Sequence, residues 1–185
     1  MKIFFDTEFT ELSKQGQLIS IGMISEDGKE FYAELNDINP SEVSEWVKDN
    51  VLSNTINYGT LVPTEILETD CNYIIGPKYD VKEALKNYFE QFDEIELVSD
   101  VCHYDMVYLI DIFGTAFDLP TNVNPACHDI NQDIANYEHI SEIEAFDRSR
   151  EDFIFTYNTE VQGVKHNSLY DAKVIKEIFE ITNAL

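Results

Sequence analysis

The chain opens Met1-Lys2-Ile3-Phe4-Phe5-Asp6-Thr7-Glu8-Phe9-Thr10, and the fold turns on how this stretch is read. Ile3–Phe5 is a short apolar run of the kind that forms a buried strand. Two acids then arrive where a core strand would continue. Strand side chains alternate, so Asp6 and Glu8 project from the same face. Two carboxylates on one face at the end of a strand repel each other unless a cation holds them. The Asp-x-Glu spacing carries little in a chain with 36 acids. Its position at the end of an apolar first strand carries the weight.

Outward from this strand, residues 17–25 (QLISIGMIS) and 29–35 (KEFYAEL) predict two more strands. The Glu26-Asp27-Gly28 turn between them suits a hairpin. The chain therefore opens as a three-stranded antiparallel meander. Asn39-Pro40-Ser41 predicts a helix start, running to about Asn50 with Trp46 and Val47 as apolar contacts. Residues 53–77 read as irregular, with Pro63 and Gly76-Pro77 as breakers. A helix is expected over 80–92, with Val81, Leu85 and Phe89 at four-residue spacing. A strand follows at 94–99, then a helix over 103–113 ending at Gly114. Residues 115–165 predict a short strand near 125–128 and a helix from about Asn131. A last helix covers 168–182, with Ser168 as its N-cap. This order is mixed α/β, a central sheet flanked by helices, in one domain spanning 1–185.

Composition bounds the function. A chain of 185 residues with 44% hydrophobic and 12% aromatic residues is not disordered. The formal charge of −24 argues against a passive nucleic-acid coat or a basic membrane binder. No apolar run reaches the roughly 18–20 residues of a membrane span, and acids come too soon for a signal peptide. Cys71, Cys102 and Cys127 read as free thiols in a reducing cytoplasm.

Two further acids sit on apolar stripes. On a helix, Asp105 shares a face with Tyr108, Leu109 and Ile112, and Asp171 with Val174, Ile175, Ile178 and Thr182. Asp100 and Asp111 fall off the first stripe and read as cap and surface acids. Burying one unpaired carboxylate costs several kcal/mol; a helix N-terminus eases that slightly and a divalent cation far more. Asp6, Glu8, Asp105 and Asp171 thus form a candidate inward-facing set whose oxygens suit Mg²⁺ or Mn²⁺ rather than zinc. The competing reading is that some of these acids are solvated caps. Such clusters commonly hold two ions about 3.5–4 Å apart and cleave phosphodiesters. His166, five residues before Asp171, is a candidate general base. His128 and Asp133 repeat that spacing, but Asp133 shares its face with Asn136 and Tyr137, a poorer apolar stripe. Cys102-His103 and Cys127-His128 lack the Cys-x-x-Cys of a zinc site. Arg148, Arg150 and Lys165 precede His166 and read either as phosphate contacts or as solvated cations.

Three stretches carry a resemblance: Asp6-Thr7-Glu8-Phe9-Thr10-Glu11-Leu12, His103-Tyr104-Asp105-Met106-Val107-Tyr108-Leu109, and His166-Asn167-Ser168-Leu169-Tyr170-Asp171-Ala172. In this order they resemble the motifs of the DEDDh branch of the RNase T-like 3′-5′ exonucleases, whose first motif is DxExT, usually followed by Gly-Leu. The sister DEDDy branch places Tyr four residues before the last Asp, where this chain has Asn167. Glu30-Phe31-Tyr32-Ala33-Glu34-Leu35 and Trp46-Val47-Lys48-Asp49-Asn50-Val51-Leu52 are similar to one sub-branch, small stand-alone exoribonucleases first described in mycobacteria, with relatives in bacteriophages. Two departures stand: Glu11 occupies the usual Gly position, and the chain is unusually acidic.

The resemblance implies an RNase H-like (RNase T-like) fold. It implies a divalent-metal-dependent 3′-5′ exoribonuclease that acts on single-stranded 3′ ends or 3′ overhangs. That enzyme would release nucleoside 5′-monophosphates by a two-metal mechanism. Asp6 would bridge two Mg²⁺ or Mn²⁺ ions, Glu8 and Asp171 would complete one shell, and Asp105 would hold the second ion. His166 would be the general base. Phe9, Thr10 and Leu12 would line the pocket of the 3′-terminal nucleotide. A homodimer in a cytoplasm, that of the host for a phage-encoded chain, fits the same picture. The net charge does not forbid it, because distant acids are screened beyond about 8 Å at physiological salt. A proofreading-type DNA exonuclease and a non-catalytic acidic DNA mimic are the alternatives.

Overall fold

The computed structural model describes residues 1–59 and 71–184. Six strands form one mixed sheet: β1 (Lys2–Phe9), β2 (Leu18–Ser25), β3 (Glu30–Leu35), β4 (Asn72–Gly76), β5 (Ile95–Ser99) and β6 (Val123–Asp129), in the order β4-β3-β2-β1-β5-β6. β1, β2 and β3 are the antiparallel meander expected from the sequence, closed by Gly28 at φ +87°. β5 runs parallel to β1, β6 parallel to β5, and β4 parallel to β3. β1 is therefore central, and its acids lie at the carboxyl end it shares with β5.

Seven helices flank the sheet among the described residues: α1 (Glu45–Asn50), α2 (Lys78–Phe89), α3 (Cys102–Phe113), α4 (Ile130–Glu138), α5 (Glu142–Phe146), α6 (Arg150–Thr156) and α7 (Ser168–Asn183). Alternation along β1 divides the core in two. Ile3 and Phe5 pack with Leu85 and Phe89 of α2 and Leu109 and Ile112 of α3. Phe4 packs with Ile134 of α4 and Ala172, Ile175 and Ile178 of α7. Among the described residues, no helix is long and apolar enough to cross a membrane.

Several boundaries differ from the expectation. The helix expected from Asn39 begins at Glu45, because Asn39 Oδ1 accepts the Ser41 N–H (3.1 Å) and closes a local turn instead. Ser44 is the cap and accepts from Val47 N–H (3.2 Å). Val47 is buried, but Trp46 is 57% exposed and no core contact. Residues 72–76, expected irregular, form the edge strand β4; the expectation over 60–70 lies outside the described residues. α7 is capped by Asn167, which accepts from Tyr170 N–H (3.3 Å), while Ser168 turns inward to Ser20 Oγ (3.0 Å). α5 and α6, of five and seven residues, are too short to show an apolar stripe in the sequence, although Ser141 and Glu144 form a capping box at the start of α5.

Candidate active site

Phe4, Asp6 and Glu8 share the α7 face of β1, so the apolar row ends in two carboxylates beneath the first turn of α7. Asp6 lies opposite Gly22 of β2. A Cβ on Gly22 would stand 2.2 Å from Leu169 N and 2.3 Å from the Ser168 carbonyl carbon. Only glycine lets the start of α7 lie directly on the β2 backbone. That contact brings Asp171 over the strand. Asp171 Oδ2 accepts the His166 N–H (2.9 Å), and His166 Nδ1 lies 3.6 Å from Glu8 Oε1. One ligand atom each from Glu8, His166 and Asp171 all fall within 4.8 Å of one another, a spacing that fits a metal ion.

Asp105 reaches the same place from the opposite layer. It is 3% exposed, and its Oδ1 accepts Thr7 N–H (2.9 Å) and Thr7 Oγ1–H (2.6 Å). Its Oδ2 accepts the Ser99 hydroxyl. The residue between the two acids of β1 therefore tethers the third. Burial pushes the Asp105 carboxyl up to about 7, against the pull of those hydrogen bonds. Asp6 is raised well above the carboxylate range, first by burial and then by Asp105, Asp171, Glu8 and Asp100. Asp171 is raised likewise by burial, Glu8 and Glu151. These carboxylates share one repulsive field, which a divalent cation would relieve.

Asp6, Glu8, Asp105, Asp171, His166 and Phe9 all line one cavity of about 370 Å³. Phe9 stacks on Tyr108 (centroids 4.6 Å apart). Thr10 lines a different cavity with Glu11 and Gln17, and Leu12, 48% exposed, lines neither. Of the three residues expected to seat a terminal nucleotide, Phe9 alone faces the acids. The Glu11 carbonyl accepts the Tyr108 hydroxyl.

Trp46 and Asp100 also stand in the wall, where the sequence places a core contact and a cap or surface acid. Trp46 sets its ring edge-on to His166 (5.3 Å). Asp100, expected to be a cap or surface acid, lines the cavity and pairs with Arg150 (Nε–Oδ2 2.6 Å, Nη2–Oδ1 2.9 Å). It precedes α3, so a helical stripe gives it no address; Val101 between them is left-handed (φ +53°). Arg150 and Lys165 line the cavity, while Arg148 pairs with Glu138 (3.0 Å) outside it.

His128 and Asp133 pair (Nε2–Oδ2 2.6 Å) away from the cavity, and that hydrogen bond raises the histidine pKa. A raised histidine stabilises the fold below its ordinary value near 6.5 and loses that contribution as pH rises through the folded value. His128→Ala should leave kcat unchanged and cost about 1 kcal/mol at pH 5.5. Urea unfolding should show the deficit shrinking by pH 9.

A family model described as the 3′-5′ exoribonuclease Rv2179c-like domain matches residues 1–182. The 3′-5′ exoribonuclease Rv2179c of Mycobacterium tuberculosis (strain ATCC 25618 / H37Rv) is 33% identical over 132 residues, 71% of this chain and 73% of that one. The nuclease domain of 3′hExo, a DEDDh family member bound to rAMP, superposes with a TM-score of 0.63 at 11% identity, over 99% of this chain and 92% of that one. S. pombe Pop2p in its Mg²⁺- and Mn²⁺-bound form gives 0.62 at 14% identity, over 96% and 81%. These structural likenesses establish the RNase H-like fold of DEDDh nucleases.

Proposed function

Because the chain belongs to the Rv2179c-like 3′-5′ exoribonuclease family, we propose that its acid-lined cavity removes nucleotides singly from RNA 3′ ends, overhangs included, with two divalent ions bound. Membership makes it a hydrolytic, divalent-metal-dependent 3′-5′ exonuclease. The observation that carries the finer reading is the convergence of Glu8, His166 and Asp171 ligand atoms within 4.8 Å in the cavity that Asp6 also lines. Inward-turned acids at the base of one cavity are not what a surface mimic of DNA requires.

Asp6, Glu8, Asp105 and Asp171 would hold the ions, Asp6 standing among the other three acids in the cavity. An all-carboxylate set favours Mg²⁺ or Mn²⁺. When bound, the ions would neutralise the carboxylates and stabilise charge developing on the scissile phosphate. His166 presents Nδ1 to Glu8, which leaves Nε2 to take a proton from the attacking water. Water adds to the last phosphorus and the bond to the preceding O3′ breaks. The released nucleotide keeps its 5′-phosphate, and the departing O3′ takes a proton from solvent to become the new 3′-hydroxyl of the shortened RNA. Phe9, which lines the cavity and stacks on Tyr108, would pack against the terminal base. Ten of the 12 Lys and Arg side chains are already ion-paired with acids, so grip would come from the cavity and its ions rather than from a cationic surface.

The test is titration of Mg²⁺ or Mn²⁺ against a 3′-labelled overhang duplex, with matched DNA beside it. Release of labelled 5′-mononucleotide is expected, and His166→Ala should lower kcat by about 10²–10⁴-fold. RNA left unshortened at every metal concentration would overturn the proposal, and faster digestion of DNA would move it to the deoxy substrate.

A further inference from the structure

The stretches Glu30–Leu35 and Trp46–Leu52 stand out in the sequence, yet of their polar side chains none lines the cavity. Glu34 is 1% exposed and fully bonded. Its Oε1 accepts the Tyr32 hydroxyl (2.6 Å) and Ile56 N–H (2.6 Å), and its Oε2 accepts Asn57 N–H (2.8 Å). Burial and the Glu34 charge hold Tyr32 protonated, as a donor. The Tyr32 hydroxyl in turn accepts Asn167 Nδ2–H (3.3 Å), and that same amide donates to the Asn54 carbonyl (3.0 Å). Asn54 Nδ2 donates to the Lys165 carbonyl (2.9 Å).

Both neighbours of His166 are thereby tied down. Lys165 is held by Asn54, and Asn167 by Tyr32 and Asn54. Between them His166 sits at φ +60°. A residue with a Cβ keeps a left-handed backbone only where its surroundings over-determine it. Glu34 anchors both ends of this brace at once, the 56–57 backbone directly and Asn167 through Tyr32. A buried carboxylate with three donors is a costly group to retain unless the arrangement it fixes matters.

We propose that Glu34, Tyr32 and Asn54 are positioning residues for His166, a buried polar brace that holds the left-handed turn so that the imidazole faces the cavity. This rests on His166 acting as the base. Tyr32→Phe removes one hydroxyl and keeps the ring. It should lower kcat about tenfold with KM for RNA unchanged. In a His166→Ala background the same change should cost less than twofold, because no base remains to be placed. Asn54→Ala, which cuts the brace at Lys165, should show the same pattern and serves if Tyr32→Phe fails to fold. Equal losses in both backgrounds, or a rise in KM alone, would overturn the brace. Wild-type turnover in His166→Ala alone would overturn the assignment of the base, and the brace with it.

Discussion

Asp6→Asn should abolish turnover, by about 10³-fold or more, while making the metal-free protein more stable. The two effects come from one cause. Asp6 shares one cavity with Asp105, Asp171 and Glu8, and desolvation and those charges raise its carboxyl well above its ordinary range. An acid raised in the folded state stabilises the fold below its unfolded value near 3.9 and withdraws that contribution as pH climbs through the folded value. Asp105, at about 7, behaves the same way. Metal-free wild type should therefore lose melting temperature steadily from about pH 4 to beyond pH 7. Added Mg²⁺ or Mn²⁺ should restore it, and more so at pH 8 than at pH 5. Asparagine keeps the shape and removes the charge, so the variant should melt higher than wild type in chelator at pH 8 and respond less to metal. Thermal melts at both pH values, with and without chelator, check this. A variant that melts lower than wild type in chelator at pH 8 would show that the acids are not in mutual repulsion.

Gly22→Ala should be the most damaging single change to the fold. The added methyl would meet Leu169 N at 2.2 Å, the Ser168 carbonyl carbon at 2.3 Å and Leu169 Cα at 2.4 Å. All three are backbone atoms, so no side-chain rotation relieves the overlap. The start of α7 must lift off β2, breaking the Ser168–Ser20 contact and carrying Asp171 and the turn at His166 away from Asp6 and Glu8. A loss of at least about 3–4 kcal/mol is expected, at the severe end for one methyl group. Urea unfolding measures the loss. Any folded fraction should show turnover reduced well beyond its share of folded molecules. A variant of wild-type stability would mean that α7 has slack at its first turn.

The acids of the candidate site were legible because an inward-facing charge leaves a signature. Asp105 and Asp171 could be picked out where an acid headed an apolar helical stripe, and Asp6 and Glu8 where an apolar strand ran into charge. The structure brings all four to one cavity with His166. What could not be read lay outside any periodic element or depended on distant partners. Asp100 precedes its helix, and its partner Arg150 is 50 residues away. Trp46 resembles a core aromatic in sequence, and its helix spans only six residues, too few for a stripe to give it a side. Asn39-Pro40-Ser41 carries the letters of a helix start, but its side chains close a turn first. Thr10 and Leu12 follow the strand in sequence, yet the chain leaves the cavity after Phe9.

The placement of β1 also divides the cavity by how readily its parts come apart. The floor belongs to the central strand: Asp6 and Thr7 pair with β2, and Thr7 donates its N–H to the buried Asp105 carboxylate, so these two amides should exchange with solvent only when the whole molecule opens. Trp46 rides on α1, a six-residue surface helix whose amides should exchange well before those of the floor. The doorway should therefore yield to an incoming strand end sooner than the hearth.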